Sequence, residues 1–304
     1  MNKGENREKS MITDSVSRRP YGAMLSTIVD DSVRIMLDGE ACLLTSTDYI
    51  VKMRPSGQVD KVCGFRACDI LVEGFATAGE AERAGLEITF GILWGAISQK
   101  YSVCLQYKTP LPCVVYDRTR RGSDVLLRDE VTCILGQTPT TLARGINDGL
   151  LSQERGNKKL LLAMELFSSA RQELTERSRF ISLVSSMEPL ADQQNHGSDV
   201  LDMIKQFKDQ VKALNFRPQV EASMIGRIES LSMESVRGAI RRLVRETLPD
   251  ESDALTVIEN AYDLRSRILH DGTTDADLNQ KSTELEAVIR KIIASKAGLT
   301  LLIQ

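Results

Sequence analysis

The stretch that decides how the second half of the chain folds is "AYDLRSRILHDG", residues 261–272. Tyr262, Leu264, Ile268 and Leu269 return at helical spacing. Asp271-Gly272 is a pair that stops helices and frees side-chain directions just before it. The stretch therefore predicts the end of an amphipathic helix, with His270 in its last turn or at its cap. On this half-buried element sit Arg265 and one of only two histidines in the chain. Polar groups of this kind on a packing helix must be paired, exposed at an interface, or chemically engaged.

Working outward, helical periodicity holds from "GQTPTT" (136–141) nearly to the end. Helices are expected within residues 140–153, 158–174, 178–194, 197–214, 220–231, 232–248, 253–270 and 275–298. Breaks at "DQQNHGSD", "NFRPQ", "LPDESD" and "DGTTDAD" consist of residues that turn chains. Ser198-Asp199 is the expected N-cap of the fourth of these helices.

The first half has a different texture. "DYIVKMRP", "KVCGFRACDILVEG" and "PCVVYD" read as strands, and Asp38-Gly39 as a tight hairpin turn. "TAGEAERAGLEITFGILWGAISQKY" (77–101) is the one helix among them, and "SDVLLRDEVTCILG" (123–136) reads as two closing strands. The expectation is a polar, disordered arm over residues 1–20, an α+β domain over 21–150 without a nameable chemical signature, and an all-α bundle over 157–298.

Hydrophobic residues make up 42% and charged residues 27% of the 304, a balance that supports a core. The net charge of -3 gives no global attraction to nucleic acid or anionic membrane, so any nucleic-acid binding needs a local patch. No apolar run approaches the roughly 20 residues that span a bilayer, and the N-terminus lacks a signal-peptide core. The expectation is a cytoplasmic protein. Cysteines 42, 63, 68, 104, 113 and 133 are irregularly spaced and far in sequence from either histidine. They read as small core residues in a reducing compartment, and no metal or cofactor site is expected.

At about 100° per residue, Arg265 and His270 point roughly 140° apart around a regular helix. They act together only if the helix end frees His270, or if a second chain completes the site across a two-fold axis. Together they suit phosphodiester cleavage. Arginine offers a fixed fork to phosphate oxygens, and histidine moves a proton. With a 2′-hydroxyl as nucleophile, no metal is needed. The structural alternative pairs Arg265 with Asp263 or Asp271 and leaves His270 capping its own helix. Arg237, Arg241 and Arg245 recur every four residues, either to track an RNA backbone or to form a solvated face paired with Glu234 and Glu246. Glu188 either faces Arg265 and orients it or caps locally. His196 lies in a polar loop, and the glycines near 145–156 lack a phosphate-cradle spacing.

"YDLRSRILHDG" resembles the signature of HEPN domains of the Apea-like branch, in which an arginine, four residues and a histidine close a late helix. The resemblance extends over most of 157–298. "ARQELTERSRFISLVSSMEPLAD" is similar to the family's early helices, and "SLSMESVRGAIRRLVRETL" to the helix before the motif. The resemblance implies a bundle that homodimerises and brings two Arg/His sets into a metal-independent endoribonuclease centre. Arg265 and His270 match the motif. Ser266 stands where many toxin-type relatives carry Asn, Asp or His, and Gly272 where the nucleotidyltransferase-paired variant has Tyr. Two functions follow. One is a ribonuclease in stress response or defence against mobile elements, with Arg265, His270 and Ser266 at its centre, the N-terminal domain as sensor or regulator, and a neutralising or regulatory protein as partner. The other is a non-catalytic HEPN module that dimerises or binds RNA, nucleotide or protein.

Overall fold

The computed structural model describes residues 19–29, 41–46, 48–60, 65–106, 113–118, 138–272 and 274–302. The expected hairpin turn at Asp38-Gly39, the two closing strands within 123–136, Cys63, Cys133 and most of the expected polar arm lie outside the described residues. Within them an antiparallel sheet region is followed by helices, so the α+β-then-helical order expected from the sequence is observed. The chain forms two compact units, Met1–Ser186 with Ile293–Gln304, and Met187–Ile292.

The first unit holds strands β1 (Tyr21–Val29), β2 (Ala41–Thr45), β3 (Ile50–Asp60), β4 (Phe65–Phe75), β5 (Val103–Gln106) and β6 (Val114–Asp117). Their order is β2-β3-β4-β1-β5, all antiparallel. The outer edge of β1 is shared end to end, by β6 along residues 21–24 and by β5 along residues 26–29. Alternation along the strands separates two faces. Ala23, Leu25, Val51, Met53, Cys68, Ile70 and Val72 are buried on one. The other carries Lys52, Arg54, Asp69 and Glu73, with Lys52–Glu73 at 3.1 Å and Arg54–Asp69 at 3.4 Å. Tyr116 lies across Gly22, where a Cβ would come within 2.7 Å of its ring, and donates to Glu73 at 3.0 Å.

Helix α1 (Ala78–Gln99) packs on the apolar face. A capping box starts it: Thr77 Oγ1 accepts from the Glu80 amide, and the Glu80 carboxylate accepts from the Thr77 amide, both at 3.2 Å. It ends at Lys100 in the left-handed conformation. Residues 88–98 are buried on every side, as befits a helix covered from two directions. The second cover is α2 (Thr138–Leu150), and glycines set how closely it lies. A Cβ on Gly145 would stand 2.4 Å from Gly95 Cα, and one on Gly149 2.5 Å from Gly91 Cα. The glycines that look in the sequence like interruptions of a short helix are thus its contact surface. Helix α3 (Lys158–Ala170) is stitched to β5 by Ser168, whose hydroxyl accepts from the Val103 amide at 3.0 Å and donates to the Val103 carbonyl at 2.6 Å. This explains why α3 and α4 (Glu176–Ser185) group with the sheet, although helical texture begins near residue 157.

The second unit comprises a 3-10 turn (Glu188–Leu190), α5 (Ser198–Ala213), α6 (Pro218–Ser230), α7 (Val236–Thr247), α8 (Ser252–Asp271) and α9 (Leu278–Ala297) as far as Ile292. The N-cap of α5 is Gly197, one residue earlier than expected, which leaves Asp199 in the first turn where the helix dipole favours it. Ser235 caps α7, accepting from the Gly238 amide at 3.0 Å. The core comes from α7 (Ala239, Ile240, Leu243, Val244), α8 (Ala254, Ile258, Ala261, Leu264, Ile268) and α9 (Leu285, Val288, Ile289).

Candidate functional site

The spacing of Ala254, Ile258, Ala261, Leu264 and Ile268 turns one stripe of α8 into the core. The helix continues regularly through Asp271 and closes at Gly272, left-handed at φ 73°, whose amide donates to the Ile268 carbonyl at 3.1 Å. Arg265 and His270 therefore lie on one unbroken helix. Starting from Arg265, at the border of the buried stripe, the azimuth passes Leu269 at roughly 40°, Tyr262 at roughly 60° and Ser266 at roughly 100°. It reaches His270 at roughly 140°. Ser266, Leu269 and His270 are exposed, Leu269 by 55%. The two motif residues flank an exposed strip with an apolar centre, and within one chain their side chains diverge.

Arg265 is held. Its Nη1 lies 3.0 Å from Glu188 Oε1 in the 3-10 turn, and its guanidinium carbon is 5.7 Å from the centroid of the Tyr262 ring. The carboxylate and the ring face fix the plane of the guanidinium, while 22% of the side chain stays exposed. Burial, and then the Glu188 charge, raise the Tyr262 pKa, keeping the phenol protonated beside the ion pair. The carboxylate partner of Arg265 is thus Glu188 rather than Asp263, which is bound elsewhere. His270 makes no side-chain hydrogen bond or ion pair among the described residues.

The arginine stripe of α7 meets an acidic stripe of α8. Arg237 donates two hydrogen bonds to Asp263, at 2.7 and 3.0 Å, and Arg241 bonds Glu259. The four-residue steps match, so the antiparallel helices form a ladder. Arg245, exposed one turn further on, has no such partner among the described residues. Glu234 and Glu246, expected to pair with the stripe, both bind its neighbour Arg242, at 3.0 and 3.3 Å. The acids that take up Arg237 and Arg241 were missed in the sequence. The signal was Glu259 and Asp263, themselves four residues apart.

Among the described residues no cluster of three or more His, Cys, Asp or Glu side chains is placed to hold a metal ion. No helix among them is long and apolar enough to cross a membrane. Comparison with protein-family models, with curated proteins and with solved structures finds no match.

Proposed function

We propose that the chain is a metal-independent endoribonuclease of HEPN type, acting as a homodimer in stress response or defence, with the sheet-bearing unit as regulator. One observation carries the reading: a guanidinium oriented by Glu188 and Tyr262 and a solvent-facing imidazole border one exposed strip of α8 with Leu269 near its centre. A second α8 laid antiparallel over that strip covers Leu269 and brings the arginine edge of each copy to the histidine edge of the other. The divergence within one chain then becomes convergence between two.

In this mechanism Arg265 binds a non-bridging phosphate oxygen and stabilises the charge that grows there. One His270 takes the proton from the RNA 2′-hydroxyl as that oxygen attacks the adjacent phosphorus. The second His270, protonated, gives a proton to the departing 5′-oxygen. The products are a 2′,3′-cyclic phosphate and a 5′-hydroxyl. Ser266, between the two groups on the strip, hydrogen-bonds the substrate backbone.

The test is cleavage of end-labelled RNA in EDTA. The expected result is cyclic-phosphate ends from the wild type and a loss of at least about 100-fold in His270→Ala and Arg265→Ala. Absence of cleavage by the wild type across a wide concentration range would remove the enzyme. A second reading is favoured by the ion pairs of Arg265, Arg237 and Arg241, which leave few unneutralised cations for a polyanion. In it the unit is a non-catalytic dimerisation or RNA-binding module. It predicts RNA retained without cleavage and bound more weakly by Arg265→Ala.

A further inference from the structure

The segment between α4 and α7 contains a feature that the ribonuclease reading does not use. Backbone pairing closes a neck: the His196 amide donates to the Ser232 carbonyl at 2.9 Å, and the Glu234 amide to the Gln194 carbonyl at 2.7 Å, around an antiparallel bridge between Asn195 and Met233. From this neck α5 runs out and α6 runs back, the chain reversing over residues 214–217 with Asn215 at φ 48°. The main packing partner of each helix is the other. Helix α6 buries no residue fully, and α5 buries only Ile204 and Val211. The pair is an arm that does not enclose its own apolar surface.

Most of the large apolar side chains left exposed among the described residues fall within residues 201–233. On α5, Met203, Phe207 and Leu214 lie within roughly 40° of one another, beside the Ile204 edge. On α6, Val220 and Leu231 lie within roughly 20°. Because the helices are antiparallel, both stripes come out on the same side of the hairpin. An exposed apolar face of this extent marks an interaction surface.

Charge selects the occupant. Acidic and basic residues balance between residues 197 and 231, so neither a polyanion nor a strongly charged protein is the complement. The charges are nevertheless sorted. Lys205, Lys208, Lys212 and Arg217 outnumber Asp209 and Glu221 toward the tip, while Asp199, Asp202 and Glu229 outnumber Arg227 beside the neck. A surface basic at one end and acidic at the other is complementary to itself turned end for end. We infer that the arm is a homotypic dimerisation element, its apolar face packed about a two-fold axis on the same face of a second copy, tip against neck. This contact is separate from the strip on α8.

The experiment is sedimentation velocity on the full chain carrying Leu269→Arg, which removes any association through α8. The arm contact predicts that this chain still dimerises and that adding Phe207→Glu makes it monomeric with an unchanged circular dichroism spectrum. Asp199→Lys and Arg217→Glu, each added alone, should weaken the dimer about tenfold, since every reversal acts twice in a symmetric contact. Mixing those two weakened proteins should restore association, because only the mixed dimer has opposite charges at both ends. A Leu269→Arg chain that is monomeric at all concentrations, a dimer indifferent to Phe207→Glu, or a mixture no tighter than its components would overturn the inference. Each result is independent of RNA cleavage, so the two proposals fail separately.

Discussion

Glu188 and Arg265 are a partly exposed ion pair, and their contribution to stability is correspondingly small, under about 1 kcal/mol. Their effect on the neighbouring phenol is the more sensitive readout. In Glu188→Gln the anion that opposes a tyrosinate is gone and the Arg265 cation beside the ring is uncompensated. Both changes lower the Tyr262 pKa. The difference between spectrophotometric titrations with and without Tyr262→Phe should show the transition at lower pH in Glu188→Gln; an unmoved transition would mean that the carboxylate does not act on this cluster. A second titrating group sits in the first unit, where burial, and then Glu82, push the Cys113 thiol up to about 11. The thiol is neutral longer in the folded chain than in the unfolded one, where it titrates near 9. Its contribution to stability is therefore complete below about pH 9 and is lost as pH rises through about 11. Urea midpoints should fall across that interval, and less steeply in Cys113→Ala, the remaining slope coming from buried tyrosines whose pKa values are likewise raised.

At the scale of elements, the crossing of α1 and α2 is set by two glycine pairs with no room for a methyl group. Gly145→Ala forces the backbones apart and should cost about 1–3 kcal/mol. Gly79→Ala in the first turn of α1, where a Cβ meets nothing, should be neutral or stabilise by up to about 1 kcal/mol. Equilibrium urea unfolding separates the two, and equal effects would show that the close approach is not what holds α2. The existence of both helices is legible in the periodicity of residues 77–101 and 140–153. The meaning of the glycines is not, because the helix that explains each pair lies some 50 residues away. The arginine stripe of α7 behaves likewise: its spacing is local, but only the antiparallel neighbour supplies Asp263 and Glu259.

For the whole molecule, the proposed centre needs two copies, so specific cleavage activity should rise with protein concentration until the dimer saturates. Leu269→Arg on the α8 strip should then remove cleavage while leaving the fold and the α5–α6 arm intact, checked by RNA cleavage alongside circular dichroism. Activity independent of concentration in a chain that sediments as a monomer would exclude the composite site. The division into units also belongs to this scale. The change from strand to helix texture near residue 157 is visible in the sequence, whereas the bonds from Ser168 to Val103 assign α3 to the sheet.

What the sequence determined by itself are the local properties: which segments are helices, that antiparallel strands precede them, and that an arginine and a histidine share one helix at diverging azimuths. These follow from periodicity, capping residues and turn chemistry, each confined to a few neighbouring positions. Only the tertiary structure decided that Glu188 holds Arg265, that Asp263 and Glu259 neutralise the stripe of α7, that glycines join α1 to α2, and that a neck frees the arm. Those depend on which distant side chains meet, and the pattern along a single helix or strand carries no record of the surface it will face.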